Sequence, residues 1–275
     1  MNLKEALKDV LTERERRLLI RGFDIIGDVA IIEIPEPLRK KKKEIANAIK
    51  KIHKHIKTVL MKLGEREGKF RLREFEVLLG GDTRTEHKEH GCRFRLDVKT
   101  CYFSPREATE RQRIAEKVKP GETVLVMFAG TGPYAIVIAK KQPQVRKIYS
   151  VEINPECVKY MKENIKINKV EDKILPILGD VRDVCREYYG KCDRVIMPLP
   201  KEGYKYLDIA LMCIKSGGVI HFYHYSHEND LWYETLSLIN RAAIQLNKKV
   251  RILQKRKVLP YGPRVWKVCV EFEVT

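Results

Sequence analysis

Apolar and polar positions follow different rhythms on either side of residue 104. Before it, residues 1–20 read as a short amphipathic helix, and residues 23–34 as a strand broken at Gly27-Asp28. After Pro35 and Pro37, Ile45, Ile49, Ile52, Ile56, Leu60 and Leu63 recur at three- and four-residue steps. That spacing predicts one long helix with a single buried stripe. Two strands are expected next, over 70–79 and 93–103, joined through Gly80-Gly81 and a polar loop that carries His87 and His90. This half reads as α+β.

From Ser104-Pro105 onward, helical and β-rich segments alternate with short loops, the pattern of a parallel, doubly wound sheet. The chain closes on a hairpin, 249–259 and 265–274, around Tyr261-Gly262-Pro263-Arg264. The expected fold class is α/β: a Rossmann-like catalytic domain over 104–275, preceded by a smaller α+β domain over 1–103.

Charge adds a partner to this picture. The 275 residues carry 55 Lys and Arg against 37 Asp and Glu, a net charge of +18. Such an excess on an enzyme-sized chain points to a polyanion, nucleic acid first. The alternative is the generally basic, Lys- and Glu-rich surface of thermophilic proteins. The charge is densest at Arg39, Lys40, Lys41, Lys42 and Lys43, continued by Lys50, Lys51, Lys54 and Lys57 opposite the apolar stripe. That face is either solvated or in contact with phosphates. No apolar run reaches the roughly 18 residues that cross a bilayer, so no membrane segment is expected. The seven cysteines contain no Cys-x-x-Cys pair, and strand alternation sends His221 and His224 to opposite faces, so no metal is expected either. Reduced cysteines, and a charged N-terminus without signal-peptide character, predict a cytoplasmic protein.

The sharpest chemical signal runs from Thr123 to Pro133, an apolar strand that ends in Gly130-Thr131-Gly132-Pro133 and enters a helix at once. Glycines at that turn let a ligand approach the backbone at a helix N-terminus. The next strand ends in Glu152, 20 residues after Gly132, an offset suited to accept both hydroxyls of a ribose. A third strand ends in Asp180, placed to accept from an adenine amino group. Each acid taken singly is more commonly a helix N-cap; together with the turn they mark an adenosine pocket. The third glycine of the pyrophosphate-binding version is missing. The closing hairpin is typical of the class I methyltransferase sheet, so S-adenosylmethionine is the expected cofactor.

Four segments resemble a single archaeal and eukaryotic family: 102–111 (Tyr-Phe-Ser-Pro-Arg-Glu-Ala-Thr-Glu-Arg), 127–134 (Met-Phe-Ala-Gly-Thr-Gly-Pro-Tyr), 151–155 (Val-Glu-Ile-Asn-Pro) and 195–201 (Val-Ile-Met-Pro-Leu-Pro-Lys). The family contains the tRNA guanosine-37 N1-methyltransferases and a sister in wybutosine synthesis, a tRNA aminocarboxypropyltransferase. Three departures favour the sister. Pro198 stands where the methyltransferases carry an Asn that helps hold the target base, and proline offers neither a side-chain amide nor an N–H. Val126 replaces the acid usual before Met-Phe-Ala-Gly. Many methyltransferase relatives also begin with an additional small domain, for which this N-terminal segment is too short.

The resemblance therefore implies transfer of the 3-amino-3-carboxypropyl group of S-adenosylmethionine to the demethylwyosine base at position 37 of tRNA-Phe, with release of methylthioadenosine. The alternative is the position-37 N1-methyltransferase. Glu110 is the first candidate for the general base, because the matching Thr-Glu-Arg segment of the methyltransferases uses its Glu for proton removal; Asp97 is the second. Paired with Arg106 or Arg113 on a helix surface, Glu110 would instead be structural. Ser104 and Arg111 match positions near the methionine end of the cofactor. Phe128, Gly130, Gly132, Glu152, Ile153, Asp180 and Pro198 complete the expected cofactor pocket. Arg39, Lys40, Lys41, Lys42 and Lys43, with Arg71 and Arg73 on a strand, are expected to contact the anticodon loop of the tRNA. A monomer without metal is expected.

Overall fold

The computed structural model describes residues 2–68, 70 and 72–275. The chain divides into two compact units, Met1–Arg106 and Glu107–Thr275.

In the first unit two short helices, α1 (Leu3–Ala6) and α2 (Glu13–Leu18), replace the single helix expected over 1–20. Each opens with its own capping box, Asn2 with Glu5 and Thr12 with Glu15, so the chain restarts rather than continues. Strands β1 (Asp24–Ile26) and β2 (Val29–Ile32) turn at Gly27, whose φ of 57° suits glycine. A 3₁₀ turn over Glu36–Lys41 leads into α3 (Lys42–Ile52), followed by β3 (Thr58–Glu67) and β4 (Leu72–Leu79).

The long helix expected over 45–63 thus ends at Ile52, and Leu60 and Leu63 belong to β3. The reason is tertiary. Residues 58–61 form a wholly buried run that pairs in parallel with β2, and such a run fits a helical spacing as well as a strand. The polar loop expected around His87 is strand β5 (Arg84–Glu89), paired with β6 (Cys92–Asp97), which stops short of residue 103. Its cross-strand ion pairs, Glu86 with Arg93 (2.7 Å) and Arg95 (3.1 Å), disguise it as a loop in the sequence. The main sheet runs β1-β2-β3-β4. Ile45 and Ile49 of α3 pack with Leu3, Leu7, Leu38 and Ile32 in the core.

The second unit comprises α4 (Ala108–Lys117), β7 (Thr123–Met127), α5 (Pro133–Lys141), β8 (Lys147–Glu152), α6 (Pro155–Ile167), β9 (Ile174–Leu178), α7 (Val181–Val184), β10 (Cys192–Met197), α8 (Leu207–Cys213), β11 (Ile214–His227), α9 (Tyr233–Gln245), β12 (Val250–Gly262) and β13 (Val265–Val274). Its sheet runs β12-β13-β11-β10-β7-β8-β9. The strands from β11 to β9 are parallel, while β13 lies antiparallel between β11 and β12. This is the Rossmann-like α/β class that the alternating pattern predicts. The strand order reverses between β7 and β10, which opens a crevice at their carboxyl ends. All seven cysteines are buried and none forms a disulfide. Among the described residues no helix is long and apolar enough to cross a membrane.

Candidate active site

Strands β10, β7, β8 and β9 are neighbours and present their carboxyl ends together. β7 is buried at every position, and the chain leaves it through three left-handed residues, Phe128 (φ 55°), Gly130 (58°) and Gly132 (86°). Gly132 caps α5, and a Cβ there would lie 2.9 Å from Met161 Cγ, so helix α6 can pack only against glycine. At the tip of β8, Glu152 accepts the Gly130 N–H through Oε2 and the Asn154 N–H through Oε1, each at 2.8 Å. Burial pushes its carboxyl above the usual range, against the pull of those backbone donors. A carboxylate has about four acceptor sites, which leaves two for ribose hydroxyls.

Asp180 caps α7, with Oδ1 accepting the Arg182 N–H at 2.9 Å; among the described residues no hydrogen bond engages Oδ2. Ile153 and Pro198 are half-buried just beyond the tips of β8 and β10. Two further residues carry no local sequence signal. Tyr206 meets Phe128 edge-on at 5.0 Å, and the Arg182 guanidinium lies 5.0 Å from the centre of the Tyr206 ring. Burial, and after it the Asp180 charge, raises the pKa of the Tyr206 hydroxyl. A glycine cradle, two strand-tip acids and an aromatic pair fit the adenosine part of S-adenosylmethionine.

A buried charge network covers the α4 side of this sheet. Tyr134, in the first turn of α5, places its hydroxyl 3.5 Å from Glu107 Oε2. Lys267 of β13 pairs with the same carboxylate at 2.8 Å and stands 4.8 Å from the centre of the Tyr223 ring. The Tyr223 hydroxyl donates to Glu110 Oε1 at 2.6 Å. Arg113 grips both oxygens of Glu110 (2.6 and 2.8 Å) and also binds Glu271, which Lys117 reaches at 2.6 Å.

Glu110 is therefore not a helix-surface residue. It is 4% exposed, and both oxygens are engaged, with Arg256 a further 3.5 Å from Oε2. Arg106, the other partner expected for it, binds Asp24 in the first unit at 2.6 Å. A proton can reach Glu110 only if one of its contacts yields. The Tyr134 and Tyr223 hydroxyls are held well above their usual pKa, by burial first, so both stay protonated donors. Arg111 is fully buried, and its charge acts on the Tyr134 hydroxyl.

His221 accepts from Arg194 Nη1 at 2.7 Å, since a guanidinium can only donate. Burial and the Arg194 charge push its pKa well below the usual value. His221, Cys269 and Glu271 come close enough to hold an ion, but Arg194, Arg113 and Lys117 already engage the His and the Glu. Three cations at that spot disfavour a fourth. His224 lies on the opposite face, 3.8 Å from Glu234.

The remaining candidates lie in the first unit. The basic run starts in the 3₁₀ turn and continues into α3. Arg39, Lys40 and Lys43 are exposed, while Lys42 is tied to Glu76 at 2.6 Å and Lys41 is half-buried. Arg39 pairs with Glu36 at 2.8 Å. Arg73 lines a cavity of about 50 Å³ with Asp24, Lys62, Phe75 and Tyr102; Arg71 lies outside the described residues. Asp97 is half-buried and accepts the Lys99 N–H at 2.9 Å, and Ser104 is half-buried near the end of this unit.

Comparison with known proteins gives these features a context. Residues 85–253 match the TRM5/TYW2 methyltransferase domain, and residues 3–83 the TYW2 N-terminal domain. The chain is 44% identical over 261 residues to the tRNA (guanine(37)-N(1))-methyltransferase Trm5b of Pyrococcus abyssi, covering 94% of this chain and 77% of the relative. It is 33% identical over 272 residues to the tRNA(Phe) (4-demethylwyosine(37)-C(7)) aminocarboxypropyltransferase of Pyrococcus horikoshii, covering 99% and 96%. The crystal structure of wild-type Trm5b from Pyrococcus abyssi superposes with a TM-score of 0.88, at 44% identity over 97% of this chain and 79% of that one. That of P. horikoshii TYW2 in complex with MeSAdo superposes at 0.82, with 31% identity over 99% and 97%.

Proposed function

Starting from the fact that the chain belongs to the TRM5/TYW2 methyltransferase family, we propose that it transfers the methyl group of S-adenosylmethionine to N1 of guanosine at position 37 of tRNA. S-Adenosylmethionine is the cofactor. The observation that carries the reading is the 44% identity to Trm5b across 94% of the chain. Aminocarboxypropyl transfer to demethylwyosine, which the sequence departures favour, is the second reading. Pro198 after β10 and the match of residues 3–83 to the TYW2 N-terminal domain support it. Val126 discriminates less: it is wholly buried inside the sheet, where an acid would need a partner of its own.

When bound, the cofactor supplies an electrophilic methyl on a sulfonium. Glu152 accepts the ribose hydroxyls and Asp180 Oδ2 the adenine amino group, while Phe128 and Tyr206 screen the pocket from water. Arg111 pairs with the methionine carboxylate. N1 of guanosine must lose its proton, and Glu110 is the acid assigned to take it, with Tyr223 or Arg113 yielding a contact as it does so. Which sulfonium carbon faces the base is a matter of orientation, and it decides between the two readings.

Cofactor labelled separately in its methyl and carboxyl carbons tests this. Methyl label in tRNA, and a position-37 nucleoside heavier by one methyl group, is the expected result. Carboxyl label entering tRNA sinks methyl transfer and supports the second reading. In the first unit, changing the exposed Arg39, Lys40 and Lys43 to Gln should weaken tRNA binding and flatten its log–log salt dependence by about 2. An unchanged affinity would leave that face merely solvated.

A further inference from the structure

The second unit carries a strip of positive charge of its own. Residues 107–275 hold 29 Lys and Arg against 20 Asp and Glu, and between Glu234 and Glu271 lie nine Lys or Arg and no acid. The entire excess of nine charges therefore sits in that stretch, and the rest of the unit is neutral. In the fold the stretch is most of α9 and the hairpin β12–β13, with β12 as the edge strand of the sheet. Positions 251–257 of β12 are all exposed.

Several of these cations are occupied. Arg251 pairs with Glu273 at 3.0 Å, Arg264 with Glu228 at 2.6 Å, and Lys267 is buried on Glu107. Among the described residues, Lys255 and Lys257, which share one face of β12, have no carboxylate partner. Both are seated on indole rings instead: Lys255 Nζ lies 5.7 Å from the centre of Trp232, and Lys257 Nζ 4.8 Å from that of Trp266. A ring beneath an ammonium steadies it without neutralising it, so less side-chain entropy is lost when it meets an anion. Further along, Tyr261, 56% exposed, stacks on Tyr225 at 3.9 Å, and Tyr233 is 77% exposed.

Lysines on an edge strand also guard a sheet against pairing with another chain. A guard needs only charge. It does not need an indole under both Lys255 and Lys257. Exposed cations held in place on one face of an edge strand match the phosphates of a polynucleotide.

We propose that edge strand β12, through Lys255 and Lys257 with Trp232 and Trp266, is a docking surface for the backbone of the substrate RNA. It is separate from the basic run at Arg39–Lys43, and it rests on the tRNA reading above. The opposite face of β12 explains its usefulness. Gln254 accepts from Lys117 of α4 at 2.6 Å, and Arg256 lies 3.5 Å from Glu110 on the same helix. RNA held on this strand is thereby registered against the helix that carries the acid assigned to proton removal.

The test is the full chain with Lys255→Gln and Lys257→Gln, compared with wild type in tRNA filter binding over a salt series and in steady-state kinetics. Kd and KM for tRNA should rise several-fold, and the log–log salt slope should become shallower by about 1.5. The kcat at saturating tRNA and the cofactor affinity should not change. Lys255→Arg with Lys257→Arg, which keeps the charge, should retain wild-type affinity. Unchanged affinity and slope in the double Gln variant overturn the surface alone, provided wild type binds and modifies tRNA. Self-association with unchanged tRNA affinity makes the lysines an edge guard and also overturns it. Affinity lost for polyglutamate but kept for tRNA assigns the strip to an acidic protein and overturns the RNA surface as well. Wild type that binds no tRNA sinks the functional reading and the surface together.

Discussion

Replacing Arg113 by Met is expected to destabilise the second unit by about 3 kcal/mol, the scale of one or two charge-assisted hydrogen bonds at roughly 1.5–3 kcal/mol each. Arg113 joins Glu110 of its own helix to Glu271 of β13, and both carboxylates are almost wholly buried. Burial alone would lower the pKa of its guanidinium, but the hydrogen bonds to Glu110 and Glu271 reverse this and raise it. Without Arg113, Glu271 keeps Lys117 and Glu110 keeps Tyr223, so neither acid is abandoned, yet each loses its forked or nearest donor. Arg113→Lys should fall between, because an ammonium cannot bridge two carboxylates with a planar fork. Adding Glu271→Gln to Arg113→Met should recover part of the loss, a coupling that a double-mutant cycle in urea reads directly. A single variant within about 0.5 kcal/mol of wild type would mean that this network does not hold α4 to the sheet.

Whether a feature is legible in the sequence depends on how far apart its parts lie. The glycine turn, Glu152 and Asp180 each follow from a strand end and the few residues after it, and all three sit at adjacent strand tips in the structure. The stripe from Ile45 to Leu63 mimics one helix because β3 lies flat against β2 on a fully buried run, and only pairing with another strand separates such a run from a helix. Strand β5 is hidden in the opposite way: its polar side chains are bound across to β6, a partner no local rule supplies.

The Glu110 environment is out of reach for the same reason. Tyr223 lies 113 residues away from Glu110, and Glu271 lies 158 residues from Arg113. The sequence points to the right helix and to Arg113. It cannot show that the carboxylate is enclosed, so that the base role proposed for Glu110 requires it to release a donor first.

At the other side of the pocket, Glu152→Gln is expected to weaken cofactor binding about a hundred-fold while leaving fold stability nearly unchanged. Two hydrogen bonds from ribose hydroxyls to a carboxylate contribute roughly 1.5–3 kcal/mol each, and a loss of about 2.8 kcal/mol is a factor of a hundred. The amide would also turn a donor toward the Gly130 or Asn154 N–H, both of which now donate to Glu152. Stability escapes because burial already disfavours the charge, as the raised pKa records. A carboxyl whose pKa is higher in the folded than in the unfolded chain favours folding at low pH, and that advantage is lost as pH rises past the raised value. Cofactor binding runs the other way. In the proposed site the ribose hydroxyls donate to the carboxylate, so affinity should be full above the raised value and decline as pH falls through it. Calorimetric titrations across pH should show this decline in wild type and its absence in Glu152→Gln. A Gln variant that binds the cofactor as tightly as wild type would place the ribose somewhere other than the tip of β8.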